Sequence, residues 1–382
     1  MLVFGAAGGI LGPLLPMLAH DFGVPIAYTG LLISATFAGS LAAVVTGGYL
    51  ADRFGKARLF RIALGGLTLA YLGTALAPSF AVIAAAIFCA GALGGTLEGF
   101  SSAVIADLDS RPAQRDRNLN LLQVAFCAGA VAAIGFTASM VHGQAGLWRG
   151  VFGTLGGIAG GIWLLSLGMR VPPAPSAERI TLAIARRVII DPAVVLLALA
   201  ICCYVGSEMS LASWISPLLK DRLHYSDAVA MLGAACFWLA MGLARIGSGF
   251  ACQRYPGIRV LGWLVAGGLV AYICFLLPLG PWHYWLGIIA AGVTFSGIWP
   301  LLVSLGSAHY PGYSGTVVAV MVTSGTLGGL IFPFLTGLAL QGATPYPGLT
   351  LMALVFGALA VMLGVYRRRM AASSEMAKTA VV

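Results

Sequence analysis

Long apolar runs with almost no charged residues recur along this chain. Glu98 is the one charged residue between Arg61 and Asp107, and residues 1–20 carry no Asp, Glu, Lys or Arg. About 25% of the residues of an ordinary soluble protein are charged, whereas here 9% are charged and 60% are hydrophobic, with a mean hydropathy of +0.97. Such a chain cannot present a polar surface to water on all sides. We therefore expect an integral membrane protein whose surroundings are the lipid bilayer.

The apolar runs are long enough to cross a bilayer as helices, since one crossing takes about 20 residues. Turn residues separate them and define twelve candidate spans. These lie near 1–19, 27–50, 59–76, 79–106, 117–141, 147–170, 192–218, 226–250, 258–278, 282–305, 312–338 and 345–367. The predicted fold class is an all-α membrane protein with twelve transmembrane helices.

The positive charges predict the orientation of these spans. With the N-terminus inside, 17 of the 21 Lys and Arg residues fall in cytoplasmic segments and three fall in outer loops, while Arg245 lies within the eighth span. This bias follows the rule that cytoplasmic loops carry the excess of Lys and Arg. We expect a multi-pass protein of the cell inner membrane with both termini in the cytoplasm. The net charge of +9 then reflects topology and anionic lipid, and no nucleic-acid partner is predicted.

A polar segment at 171–191 divides the chain into two similar halves. We predict an N-terminal six-helix bundle at 1–170, a cytoplasmic linker at 171–191, a C-terminal six-helix bundle at 192–367 and a cytoplasmic tail at 368–382. The stretch GYLADRFGKARL from Gly48 resembles GFACQRYPGIRV from Gly249, at an offset of 201 residues. Duplicated six-helix halves are typical of one large transporter architecture.

The first of these stretches resembles the motif between helices 2 and 3 of the major facilitator superfamily. The resemblance implies two bundles, related by a pseudo-two-fold axis along the membrane normal, that rock around a central site. It also implies a cluster that latches the cytoplasmic side in the outward-facing state. The latch residues that match the motif here are Gly48, Asp52, Arg53, Gly55 and Arg58, together with Lys56.

Two isolated carboxylates within spans are candidates for proton coupling. Burying a charge at bilayer depth costs on the order of 2.5 kcal/mol or more, and a carboxyl group avoids that cost by keeping its proton. Glu98, in the fourth span, and Glu208, in the seventh, could therefore load and release protons during transport. For both residues the structural alternative is a hydrogen-bonded carboxyl group that holds helices together.

Polar and aromatic side chains in other spans are candidates for substrate binding. Asn120 and Gln123 share a face of helix 5 with Cys127, and amides suit the hydroxyl groups of a solute. An interhelical hydrogen bond is the structural alternative for Gln123. The aromatic candidates could stack on the C–H faces of a sugar, although each could equally be part of the helix packing. They are Trp214, Trp299, Phe126 and Phe295.

Several shorter patterns together resemble the fucose–galactose–glucose proton symporters. They are GTLE in helix 4, N-L-x-Q-x-x-F-x-x-G in helix 5, Y-V-G-x-E-x-x-x-x-x-W in helix 7 and G-x-x-x-x-x-I-W-P in helix 10. The resemblance implies sugar uptake driven by protons, with Glu98 as the proton carrier. In that family the fucose carrier has an acidic residue in helix 1. Here helix 1 has no acidic residue before Asp21, so the substrate could differ from that of the fucose carrier.

Other functions fit the sequence less well. A drug/proton antiporter that exports small lipophilic compounds is the main alternative, but helix 5 lacks the proline-containing motif of such exporters. An enzyme is not expected, because the chain has neither H-E-x-x-H nor G-x-S-x-G. A receptor or sensor that no longer transports is a further alternative.

No cofactor or metal is predicted. The seven cysteines form no C-x-x-C pair and mostly lie in apolar runs, as expected of small buried hydrophobic residues. The predicted partners are a small-molecule substrate, protons and lipid, and we expect a monomer.

Overall fold

The computed structural model contains helices joined by turns, and no strand, over the residues it describes, which are 1–54, 56–107, 112–140, 146–168, 182–277, 280–310, 313–342 and 344–379. Its helices in chain order are α1 Leu2–Phe22, α2 Ile26–Phe54, α3 Lys56–Ala75, α4 Phe80–Asp107, α5 Pro112–Met140, α6 Leu147–Leu167, α7 Leu182–Ile190, α8 Pro192–Leu223, α9 Asp227–Arg254, α10 Gly257–Leu276, α11 Trp282–Phe295, α12 Ile298–His309, α13 Ser314–Ala339 and α14 Tyr346–Thr379.

The helices confirm the predicted membrane fold. Eleven segments of the described chain are long and apolar enough to cross a membrane, and one of them, Trp282–His309, combines α11 with α12. The twelfth crossing is α3, which has 20 residues and packs between α4 and α6. The two six-helix bundles are therefore α1 to α6 and α8 to α14.

Three features differ from the sequence prediction. Helix α14 continues to Thr379, through most of the predicted cytoplasmic tail 368–382. The tenth span, predicted as one helix over 282–305, is interrupted at Ser296 and Gly297. Pro300 explains the interruption, because it has no N–H to donate to the Ser296 carbonyl and its ring clashes with a continuing helix. The predicted linker 171–191 contains a short helix, α7, whose Arg186 and Arg187 are exposed.

The internal repeat appears in the packing as well as in the sequence. A Cβ atom built on Gly91 of α4 would meet the carbonyl of Thr36 on α2, and one built on Gly292 of α11 would meet the carbonyl of Phe237 on α9. Both residue pairs obey the 201-residue offset. In each half, glycine thus allows two helices to approach backbone to backbone at the equivalent place.

The halves meet mainly along α1 with α8, α2 with α13 and α5 with α9, and α1 also contacts α9. We call the membrane face where α1 ends and α2 begins the upper end, and the opposite face the lower end. In the upper half of the molecule the Ser34 hydroxyl donates to the Leu330 carbonyl at 2.6 Å. A Cβ on Gly12 of α1 would lie 2.6 Å from the Cα atom of Ser213 on α8. The halves are thus in close contact at the upper end.

Candidate functional site

The first half contributes the pair Glu98 and Gln123. Both side chains are partly buried, and a side-chain hydrogen bond joins them. Glu98 lies in α4, nine residues before its last residue Asp107, which is about 13 Å along the helix axis. The bond joins the two side chains that the sequence nominated independently, one as a proton carrier and one as a substrate ligand.

The second half contributes Glu208, which is 6% exposed. The Tyr204 hydroxyl lies one turn away on α8, 2.8 Å from Oε1 of Glu208, and also 2.9 Å from the carbonyl oxygen of Phe295. Phe295 is the last residue of α11. The carboxyl group is therefore linked through one hydroxyl to the interruption in the tenth span.

Arg245 is the functional candidate that the sequence analysis did not nominate. Its side chain is 7% exposed, and its Nε and Nη1 atoms have no hydrogen-bond partner among the described residues. Its Nη2 atom lies 3.5 Å from the Met241 sulfur, which is a weak acceptor. The rule that singled out Glu98, an isolated charge within an apolar span, would also have found Arg245.

The packing of α5 against α9 brings Gln123 and Arg245 to one level. A Cβ on Gly242 of α9 would lie 3.1 Å from the Cβ atom of Cys127 on α5. The two helices run in opposite directions. Gln123 lies four residues below Cys127, about 6 Å, and Arg245 lies three residues below Gly242, about 4.5 Å. Gln123 and Arg245 thus lie at one level on the two sides of the interface, and we call this level the polar layer.

The polar layer is closed above and open below. Above it, the rings of Phe126 and Trp238 meet edge to face across the interface, with centroids 5.3 Å apart. Below it on the same face of α9, Ile246 is 50% exposed. No atom of the described residues lies within 4 Å of a Cβ built on Gly249. Packing along this seam is therefore looser below the layer than above it.

The other predicted ligands occupy different surroundings. Trp214 donates its ring N–H to the Pro333 carbonyl at 2.9 Å, and Phe295 is fully buried against Phe356, with centroids 4.9 Å apart. Trp299 is partly buried and lies beside Gly325 of α13.

Phe126 and Trp214 lie at the interface between the halves, where Phe126 meets Trp238 and a Cβ on Gly30 of α2 would lie 3.4 Å from the Trp214 ring. Glu98 and Gln123 lie beside each other within the first half.

Some predicted residues lie outside the part of the chain that the structure describes in full. Gly55 is not described. The structure describes only the helical backbone at Gly48, Asp52, Arg53, Lys56 and Asn120. Arg58 of the predicted latch is exposed. The latch therefore stays a prediction.

Comparisons with known proteins agree with this architecture. Residues 1–333 match the family model of the Major Facilitator Superfamily. Protein TsgA of Escherichia coli (strain SE11) is 23% identical over 348 residues, which cover 90% of this chain and 87% of that protein.

Two solved structures share the fold. The nucleoside transporter NupG has a TM-score of 0.72 at 12% identity and covers 96% of both chains. FucP, the E. coli fucose:proton symporter, in its outward conformation has a TM-score of 0.70 at 16% identity and also covers 96% of both chains.

Proposed function

Since the chain belongs to the Major Facilitator Superfamily, whose members are membrane transporters, we propose that it carries a small, hydroxyl-bearing solute such as a sugar into the cell together with protons. Transport proceeds by alternating access, in which the two bundles rock around the polar layer. The latch of the second and third helices closes the lower end when the upper end opens. Both termini lie in the cytoplasm, so the lower end faces the cell interior.

The observation that supports this proposal is the Glu98–Gln123 hydrogen bond. A carboxyl group inside a span is costly when charged, so its proton state depends on what surrounds it. Gln123 can hold the carboxyl group and offer its remaining donors and acceptors to a solute hydroxyl. Binding of the solute thereby changes the surroundings of the proton site, which is the requirement for coupling.

Proton entry supplies the energy for uptake when solute and proton move in the same direction. A membrane potential contributes about 2.3 kcal/mol per charge per 100 mV, and this energy favours proton movement toward the negative interior. A solute that enters with the proton is then accumulated. The fucose:proton symporter FucP, which has the same fold, supports symport as the mode of coupling.

The test is solute accumulation by purified protein in liposomes with an imposed proton gradient. Glu98→Gln should abolish accumulation against a gradient but retain solute exchange, because the amide cannot carry the proton. Thr154→Val is the matched control, since Thr154 is exposed on α6 and its hydroxyl bonds only to its own helix at Gly150. Undiminished accumulation by the Gln variant would refute the coupling role.

The same liposomes separate uptake from the exporter alternative. Sugars and lipophilic cations are each tested as cargo with the proton gradient in both directions. Accumulation of a sugar together with protons supports the proposal. Proton-driven movement of lipophilic cations in the opposite direction to the protons would replace it with a drug/proton antiporter.

A further inference from the structure

A buried guanidinium with unused donors needs a partner. Arg245 is 7% exposed. Two of its nitrogen atoms lack a hydrogen-bond partner within the described part of the chain. An unpaired charge inside a span is among the most costly groups a membrane protein can hold. Charged residues within membrane spans typically bind an ion or a substrate.

The protein groups around Arg245 compensate only part of its charge. Its guanidinium is within electrostatic range of Cys127 on α5 and of Glu208 and Tyr204 on α8. No hydrogen bond between Arg245 and Glu208 is formed, since Glu208 instead contacts the Tyr204 hydroxyl. When Glu208 takes up a proton, the positive charge of Arg245 has no negative counterpart among these groups.

We propose that Arg245 binds a carboxylate of the transported solute, so that the cargo is a small hydroxylated carboxylic acid such as a sugar acid. This inference depends on the proposed transport function and narrows its substrate class. The acid's carboxylate replaces the missing negative charge beside Arg245, and its hydroxyls face Gln123 across the interface. An anionic solute that enters with one proton moves no net charge, so its accumulation is driven by the pH difference across the membrane and not by the membrane potential.

The chemistry of the guanidinium favours an oxyanion over a neutral hydroxyl. Arg presents several N–H donors and no acceptor, and its bonds to carboxylates are about twice as strong as bonds between neutral groups. The rings of Phe126 and Trp238 close the site on its upper side, and the site opens toward the lower end. A solute that enters from below therefore reaches the guanidinium at the end of the opening.

The test compares matched acids and sugars on the purified full-length protein. D-galacturonate and D-gluconate should bind and raise the melting temperature, whereas D-galactose and D-glucose should do so at least about 10-fold more weakly. Arg245→Gln should weaken binding of the acids by about 10- to 100-fold, so that the acids lose their advantage over the sugars. The control is Arg259→Gln, because Arg259 is exposed on α10 and should not affect either class.

Arg245→Lys is the second variant for the binding test, in case Arg245→Gln fails to fold. Lys keeps the charge but not the fork of donors, so it should retain acid binding at several-fold lower affinity. Equal binding of sugars and acids by the wild type, or no binding of either acid, would overturn the inference. So would unchanged acid affinity in both Arg245 variants. These outcomes leave the proton-coupling test at Glu98 intact, because that test measures accumulation of whatever solute is carried.

Discussion

The hydroxyl of Tyr204 lies 2.8 Å from a carboxyl oxygen of Glu208, one helical turn further along α8. The same hydroxyl lies 2.9 Å from the Phe295 carbonyl, and it has only one proton to donate. When that proton points to Phe295, Glu208 must itself be protonated to bond to Tyr204. When Glu208 is ionised, Tyr204 donates to it and Phe295 loses its partner.

This relationship predicts the behaviour of Tyr204→Phe. The variant removes the hydroxyl that links Glu208 to the interruption of the tenth span. We expect a loss of about 1–2 kcal/mol in stability, the usual cost of a lost buried hydrogen bond, together with slower solute exchange. Thermal unfolding and counterflow measure the two effects. Tyr71→Phe, in the buried core of the first half, should leave exchange unchanged, and wild-type exchange in Tyr204→Phe would contradict the prediction.

A second prediction concerns closure of the upper end. A Cβ on Gly12 would lie 2.6 Å from the Cα and 2.7 Å from the carbonyl oxygen of Ser213 in the other half. Overlap of this kind costs about 1–3 kcal/mol, which would lower the population of this closed state about 5- to 150-fold. Gly12→Ala should therefore fold but transport poorly, because the clash lies between the bundles. Counterflow measures the change.

The control for Gly12 is Gly157→Ala on α6. No described atom lies within 4 Å of a Cβ built at Gly157, so this variant should transport like the wild type. Equal counterflow rates in the two alanine variants would show that the contact between α1 and α8 is not needed for the transport cycle.

A third prediction is a pH-dependent contribution from Asp191, which precedes α8. Its Oδ1 atom accepts from the amides of Ala193 at 2.8 Å and Val194 at 3.3 Å, and Tyr310 donates its hydroxyl to Oδ2 at 2.7 Å. Burial raises the pKa of Asp191, but these hydrogen bonds outweigh burial and the pKa lies below its ordinary value. The carboxylate therefore stabilises the fold above about pH 4. This contribution is lost as pH falls through the lowered pKa.

The measurement is the melting temperature of Asp191→Ala against pH. The variant should lose about 1 kcal/mol or more at neutral pH, the usual cost of removing a helix cap, and the gap to wild type should close in acid. Ser226→Ala removes the uncharged cap of α9, whose hydroxyl accepts from the Val229 amide. Its deficit should not vary with pH, and a constant deficit in Asp191→Ala as well would contradict the assigned cause.

The sequence predicted the membrane fold because the bilayer imposes a strong local signal. Each span is a separate apolar run, and most helix ends differ from the predicted ends by five residues or fewer, as in α6, predicted at 147–170 and observed at Leu147–Leu167. The exception is α14, predicted at 345–367, which continues to Thr379. The isolated charge Glu98 stands out in such a run for the same reason. Its bond to Gln123 follows from the contact between α4 and α5, which no local pattern reveals.

The polar layer depends on contacts that are distant in the sequence. Gln123 and Arg245 come to one level only because Cys127 packs against Gly242, and this pairing of α5 with α9 is a tertiary property. A charge pattern alone could have nominated Arg245 but could not have shown that its donors lack partners. The helix interruption was visible in principle as Pro300 inside an apolar run.

The last prediction concerns that interruption. Pro300 lies near the start of α12 and cannot supply the N–H that would bond to the Ser296 carbonyl. Pro300→Ala restores the donor and allows α11 and α12 to join in one helix, which turns the Phe295 carbonyl away from Tyr204. We expect thermal stability equal to or above that of the wild type and counterflow slower by at least about threefold, since the hinge would be stiffer. Pro281→Ala is the control, because Pro281 directly precedes α11, where a missing N–H has no partner to lose. Wild-type counterflow in Pro300→Ala would show that the interruption is not a moving part of the carrier.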